Sequence, residues 1–221
     1  MTVLPLESTL ACAIVVGQAL FGLWIFPRVK RALARGEQHA RVRGYAGGIA
    51  SDWLPVLVVV AVWLGRDHAW SDLGLTAPDG DLGWASTVGI VLLAALFVVQ
   101  TMRTTQSPEA LDRVAEQYAD LEPLMPHTDH EQQVWILFSI TAGLCEELLY
   151  RGFAFALLVE PVGVWGALGI SSVAFGLIHA YQGAAGVVRT GVMGLVFGGM
   201  YALSGSLWGP IVFHVLGDIV T

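Results

Sequence analysis

Six side chains in the C-terminal half of the chain, Glu146, Glu147, Arg151, His179, His214 and Asp218, have the types and spacings that hydrolytic chemistry needs. Glu147 and Arg151 stand four residues apart with the acid first, the favourable order for a helical ion pair. Arg151 can therefore neutralise Glu147 and leave Glu146, about 100 degrees round the helix, free to react. Phe175 with His179, and His214 with Asp218, are also four apart and share helix faces. Hydrolysis of a peptide bond requires a nucleophilic water, a base that works near neutral pH and donors for the developing negative charge. A buried carboxylate beside a histidine can be that base.

The elements that carry these residues are apolar. The chain has 221 residues, 55% hydrophobic and 13% charged, against about 25% charged in a soluble domain, which excludes a disordered or ordinary soluble protein. A formal net charge of -7 gives no general attraction to nucleic acid. Two cysteines, Cys12 and Cys145, are too few for a disulfide framework or a cysteine zinc site. A spanning helix needs about 20 mostly apolar residues, and uncharged runs fall at about 8 to 26, 53 to 65, 83 to 102, 134 to 158, 162 to 180, 187 to 204 and 207 to 220. The expected fold is thus an all-α polytopic transmembrane bundle of about seven spans, in which 1 to 104 form the N-terminal spans, 105 to 131 a polar linker and 132 to 221 the catalytic core.

Ionisable groups are costly inside such spans, and here the first three carry essentially none while the C-terminal ones carry the six above. Glu146 is about 18 Å from either end of its run, His179 about 24 Å and His214 about 10 Å from the outer ends of theirs. Convergence on one pocket therefore requires tilt, re-entry or side-chain reach. Six of the eleven basic residues, Arg28, Lys30, Arg31, Arg35, Arg41 and Arg43, crowd between the first two runs. That connection is expected in the cytoplasm and the N-terminus outside. The residues up to Thr9 hold no Lys or Arg, so the first run reads as a retained anchor rather than a cleaved signal. Trp24, Trp53, Trp63, Trp84, Trp135, Trp165 and Trp208 fall near run ends, as a headgroup-level belt would place them. In the linker, Leu111, Val114, Tyr118 and Leu121 have the spacing of one helix face.

Glu146-Glu147-Leu148-Leu149-Tyr150-Arg151 is an EExxxR motif, Phe175 to His179 is FxxxH and His214 to Asp218 is HxxxD. In this order, each on its own apolar segment, the set resembles the CAAX-protease and bacteriocin-processing family of intramembrane proteases, over roughly residues 134 to 220. The resemblance implies helices around a water-filled chamber and a glutamate-type endopeptidase acting on a membrane-associated peptide or protein. It makes Glu146 the base that activates water, helped by His179. His214 and residue 218 would stabilise the oxyanion, while Glu147 and Arg151 would hold the site in shape. Asn is typical of the CAAX-processing branch where Asp218 stands here. An ionised Asp cannot donate to an oxyanion, so the expected role of Asp218 is to accept from His214 and orient it.

No cofactor is expected. Glu146, His179 and His214 have the ligand types of a three-ligand zinc site, but the HExxH signature is absent. Cys145 could in principle be a nucleophile, although a small residue at a helix interface explains it more simply. Gly191, Gly194, Gly198 and Gly199 form a small-residue surface for close helix packing. Two readings from other classes stand beside the protease: an ion- or proton-coupled transporter, and a catalytically silent binding or immunity protein of the same fold. The transporter would carry inverted repeats and polar residues in both halves, and neither is visible.

Overall fold

The computed structural model describes residues 5–66, 68–119 and 121–220, so Met1 to Leu4 of the expected anchor and Asp120 of the linker lie outside it. Among the described residues eight α-helices follow one another, α1 (Pro5–Ala34), α2 (Ala40–Leu64), α3 (Gly80–Thr104), α4 (Pro108–Gln117), α5 (Asp129–Glu147), α6 (Phe155–Ile178), α7 (Gly183–Ser204) and α8 (Trp208–Val220). Strands are absent among the described residues. A π-helical stretch, Leu148–Ala154, joins α5 to α6 without a break. Polarity is arranged inside out. Val88, Val91, Leu92, Leu93 and Leu96 of α3 are exposed, while Asp52, Glu146, Glu147, Arg151 and His214 are buried. In water such a surface would aggregate, whereas lipid is the solvent it fits. This is an integral, multi-pass membrane bundle.

Among the described residues five helices are long and apolar enough to cross a bilayer, one of them the continuous 50-residue Asp129–Ile178. A straight helix would hold Arg151 and Phe175 about 36 Å apart, yet the Arg151 guanidinium carbon lies 4.2 Å from the centre of the Phe175 ring. The chain doubles back midway between them, at Gly163, whose φ of 71° and ψ of 171° suit a residue without Cβ. One long helix is therefore two antiparallel arms. At 13 residues, α8 is about 20 Å long and falls short of the hydrocarbon thickness of about 30 Å.

Boundaries also move. The basic cluster is largely helical: Arg28, Lys30 and Arg31 end α1 and Arg41 and Arg43 begin α2, leaving Arg35 in the connection. Within that connection Glu37 bonds Arg35 at 2.6 Å and Arg43 at 2.8 Å, and the Arg35 hydrogen bond holds its carboxyl below the usual range. The linker helix is shorter than expected. Ser107 caps α4 by accepting from the Ala110 N–H, Pro108 opens its first turn, and the helix ends at Gln117, before Tyr118 and Leu121. Trp63 leaves the aromatic belt: it is fully buried and donates to the Ala69 carbonyl at 3.0 Å.

Small residues set how closely the site helices approach. A Cβ on Gly143 of α5 would lie 2.5 Å from Val215 Cγ2 and 3.0 Å from the Val215 nitrogen of α8. One on Gly194 would lie 3.0 Å from the Ser172 Cα, and Gly191 meets Gly176 across the same α6–α7 contact, whereas Gly199 faces open space. Gly143→Val is expected to lower stability by about 1–3 kcal/mol, because the backbone of α8 must shift to admit it. Gly199→Ala should be neutral or slightly stabilising in the same denaturation measurement in detergent.

Candidate functional site

Glu146 and Glu147 sit at the end of α5, where the backbone passes into the π-helical stretch. Such wide turns are frequent at functional sites. Glu147 is fully buried and its Oε1 accepts from Arg151 Nη1 at 2.8 Å and from His214 Nδ1 at 2.8 Å. Arg151, also fully buried, donates through Nη2 to the Gly194 carbonyl of α7 at 3.2 Å and lies over the Phe175 and Phe197 rings. One carboxylate and one guanidinium thus tie α5, α6, α7 and α8 together. The Phe197 ring stacks on His214 at 5.0 Å between centres and fixes the imidazole plane.

With Nδ1 committed to Glu147, His214 turns Nε2 towards Glu146 Oε2, 3.9 Å away, and Asp218 Oδ2, 3.7 Å away. Both distances exceed a hydrogen bond. Glu147 thus holds the Nδ1 side of His214, and the expected partner Asp218 stands on the Nε2 side beyond hydrogen-bond distance. Asp218 is partly exposed, and its backbone carbonyl accepts from Trp135 Nε1 at 3.1 Å. His179 ends α6 and donates Nδ1–H to the Phe175 carbonyl at 2.8 Å, which leaves Nε2 as its free nitrogen.

Beside these residues lies a cavity of about 210 Å³ between α1, α2, α5 and the end of α6. Glu146 and His179 line it, so the helices do bring these two together despite the depth mismatch; His214 and Asp218 stand outside its lining. The walls are mostly aromatic and apolar, with Phe21, Phe26, Tyr45, Trp135 and Phe138 among them. Leu121, Leu124 and Met125 also line the cavity, in a segment held where Arg41 Nε donates to the Pro123 carbonyl at 2.9 Å and Tyr45 donates to the Leu124 carbonyl. Glu146 Oε2 is buried without a hydrogen-bond partner among the described residues. A buried acceptor left in this state is costly.

One residue of the site has no counterpart in the three motifs. Asp52 of α2 is buried, lines the same cavity and has Oδ2 without a partner among the described residues. The uncharged run starting at Trp53 excluded it by one position. Its signal was its place on the α2 face formed by Tyr45, Asp52, Val56, Val59 and Trp63, all buried. Cys145 packs in the main core cluster with Leu149, Tyr150 and Phe175. Glu146, His179 and His214 do not come together as metal ligands: among the described residues no group of three or more His, Cys, Asp or Glu side chains is so placed.

Fold and site together define a polytopic helical membrane protein with a buried carboxylate–histidine centre opening on an internal cavity. Residues 131–220 match the family model described as type II CAAX prenyl endopeptidase Rce1-like. Over 81 residues the chain is 33% identical to the membrane-peptidase candidate YdiL of Bacillus subtilis (strain 168). That alignment takes in 37% of this chain and 32% of the relative, so the match spans about a third of that protein's length. No solved structure matches the chain.

Proposed function

We propose that the protein is an intramembrane endopeptidase of glutamate type, cleaving a membrane-associated peptide or protein whose scissile bond enters the cavity. The observation that carries this reading is Glu146: a buried carboxylate with an unpartnered oxygen, facing a cavity it shares with His179. A water held there loses a proton to Glu146 as its oxygen attacks the scissile carbonyl. His179 presents Nε2 to the same space and positions that water. His214, as imidazolium, keeps Nδ1–H on Glu147 and offers Nε2–H on the Glu146 side, where it offsets negative charge in the transition state. Glu147 and Arg151 hold that imidazole rather than react. Asp218 adds a carboxylate on the far side of Nε2 and favours the charged ring. The basic ends of α1 and α2 face the cytoplasm in this reading, with the N-terminus outside.

The test is cleavage of a library of membrane-anchored peptides by purified protein in liposomes, with and without a strong chelator. Wild type should cleave at least one class of peptide, resist the chelator and lose cleavage in Glu146→Ala. Loss with chelator and recovery with zinc would replace the glutamate mechanism by a metal-dependent one. No cleavage by folded wild type would favour the binding or transport readings.

A further inference from the structure

The cavity holds two carboxyl groups, and the motifs account for only one. Asp52 and Glu146 are 6% and 8% exposed, they line one cavity, and each has an oxygen with no hydrogen-bond partner among the described residues. An aspartate in the buried face of a spanning helix is costly and persists where it has work to do. Local packing directs it inwards. One turn before Asp52, a Cβ on Gly48 would lie 2.6 Å from the Phe138 ring, so α2 presses against α5 on the approach to Glu146. Apolar residues fill the next places on the same face, Val56 and Val59, so burial alone does not call for an acid here.

Peptide hydrolysis needs a proton donor as well as a base, because an amide nitrogen leaves as a neutral amine only once it is protonated. Two carboxyl groups sharing a desolvated cavity favour a single negative charge between them, which is the division of labour that an acid and a base require. We propose that Asp52 is a further catalytic residue, the general acid that protonates the leaving amine in the hydrolysis for which Glu146 is the base. The inference rests on the peptidase reading.

The steps balance. Water forms the new C–O bond and gives one proton to the Glu146 carboxylate, while the carbonyl π pair moves to oxygen. The oxyanion collapses, the C–N bond breaks with its electron pair on nitrogen, and the Asp52 carboxylic acid supplies the proton that completes the amine. Glu146 is then protonated and Asp52 ionised. Transfer of one proton from Glu146 to Asp52 through cavity water restores both, so the net change is water added across the peptide bond.

The experiment compares wild type, Asp52→Asn, Asp52→Glu and Glu146→Ala on a membrane-anchored peptide that wild type cleaves and on the same peptide with an ester at the scissile bond. An ester leaves as an alcohol and depends far less on the acid. Asp52→Asn is expected to lose about 100-fold in kcat on the amide, with KM and melting temperature unchanged, and to stay within about fivefold of wild type on the ester. Asp52→Glu, which keeps a carboxyl group, should recover part of the amide activity, and Glu146→Ala should lose both substrates. Equal loss on amide and ester, or no loss on either, overturns the acid role of Asp52 while the peptidase reading stands. A folded wild type that cleaves neither substrate overturns that reading and this inference with it. Should Asp52→Asn not fold, the ester-to-amide ratio of Asp52→Glu decides, a ratio equal to that of wild type with both rates reduced counting against the proposal.

Discussion

Arg151→Met is expected to destabilise the protein by about 3–5 kcal/mol, the usual cost of removing one partner from a buried ion pair. The reason is the charge left behind. Glu147 is fully buried, and with Arg151 gone its Oε1 keeps only His214. Arg151 also holds the Gly194 carbonyl and fills the space between Phe175 and Phe197, so α6 and α7 lose a shared anchor. The loss should be partly reversed in the double variant Arg151→Met with Glu147→Leu, since replacing both members of a buried pair by apolar groups is often neutral or stabilising. Equilibrium denaturation in detergent over the four-member cycle measures the coupling. A double variant less stable than Arg151→Met alone would show that Glu147 serves the fold chiefly through His214.

The contrast between what was legible in the sequence and what was not follows from how each residue is placed. Pairs four apart need only a continuous helix, and Glu147 with Arg151 meets that condition within the π-helical stretch. Which carboxylate would hold His214 Nδ1 could not be read from spacing, because Glu147 lies 67 residues away on another helix and meets His214 only where α5 and α8 pack. Depth arithmetic assumed straight spans ending at the membrane faces. The fold-back at Gly163 and the short α8 break that assumption, and they are how His179 and His214 both reach the neighbourhood of Glu146. Asp52 was lost for a different reason: a search for uncharged runs stops at every charge, so it cuts off a carboxylate that sits one residue inside a buried face.

Glu146→Gln is expected to abolish cleavage and yet to raise stability, a combination that separates a residue kept for chemistry from one kept for the fold. The amide preserves the shape of the side chain but removes a buried charge whose Oε2 has no hydrogen-bond partner among the described residues and whose nearest cation, His214, is 3.9 Å away. Removing an unpaired charge from this buried position is worth about 1–3 kcal/mol. An amide is no base, so cleavage should fall by about 10²–10⁴-fold, the contribution of a positioned proton acceptor. Glu147→Gln should behave in the opposite way for stability, because it weakens charge-assisted bonds to both Arg151 and His214 at 2.8 Å. Its cleavage should also fall, through a loosened His214. Parallel denaturation and cleavage on the same preparations distinguish the two carboxylates. If Glu146→Gln lost stability as Glu147→Gln does, Glu146 would be a second structural acid and the base would have to be sought elsewhere along the cavity.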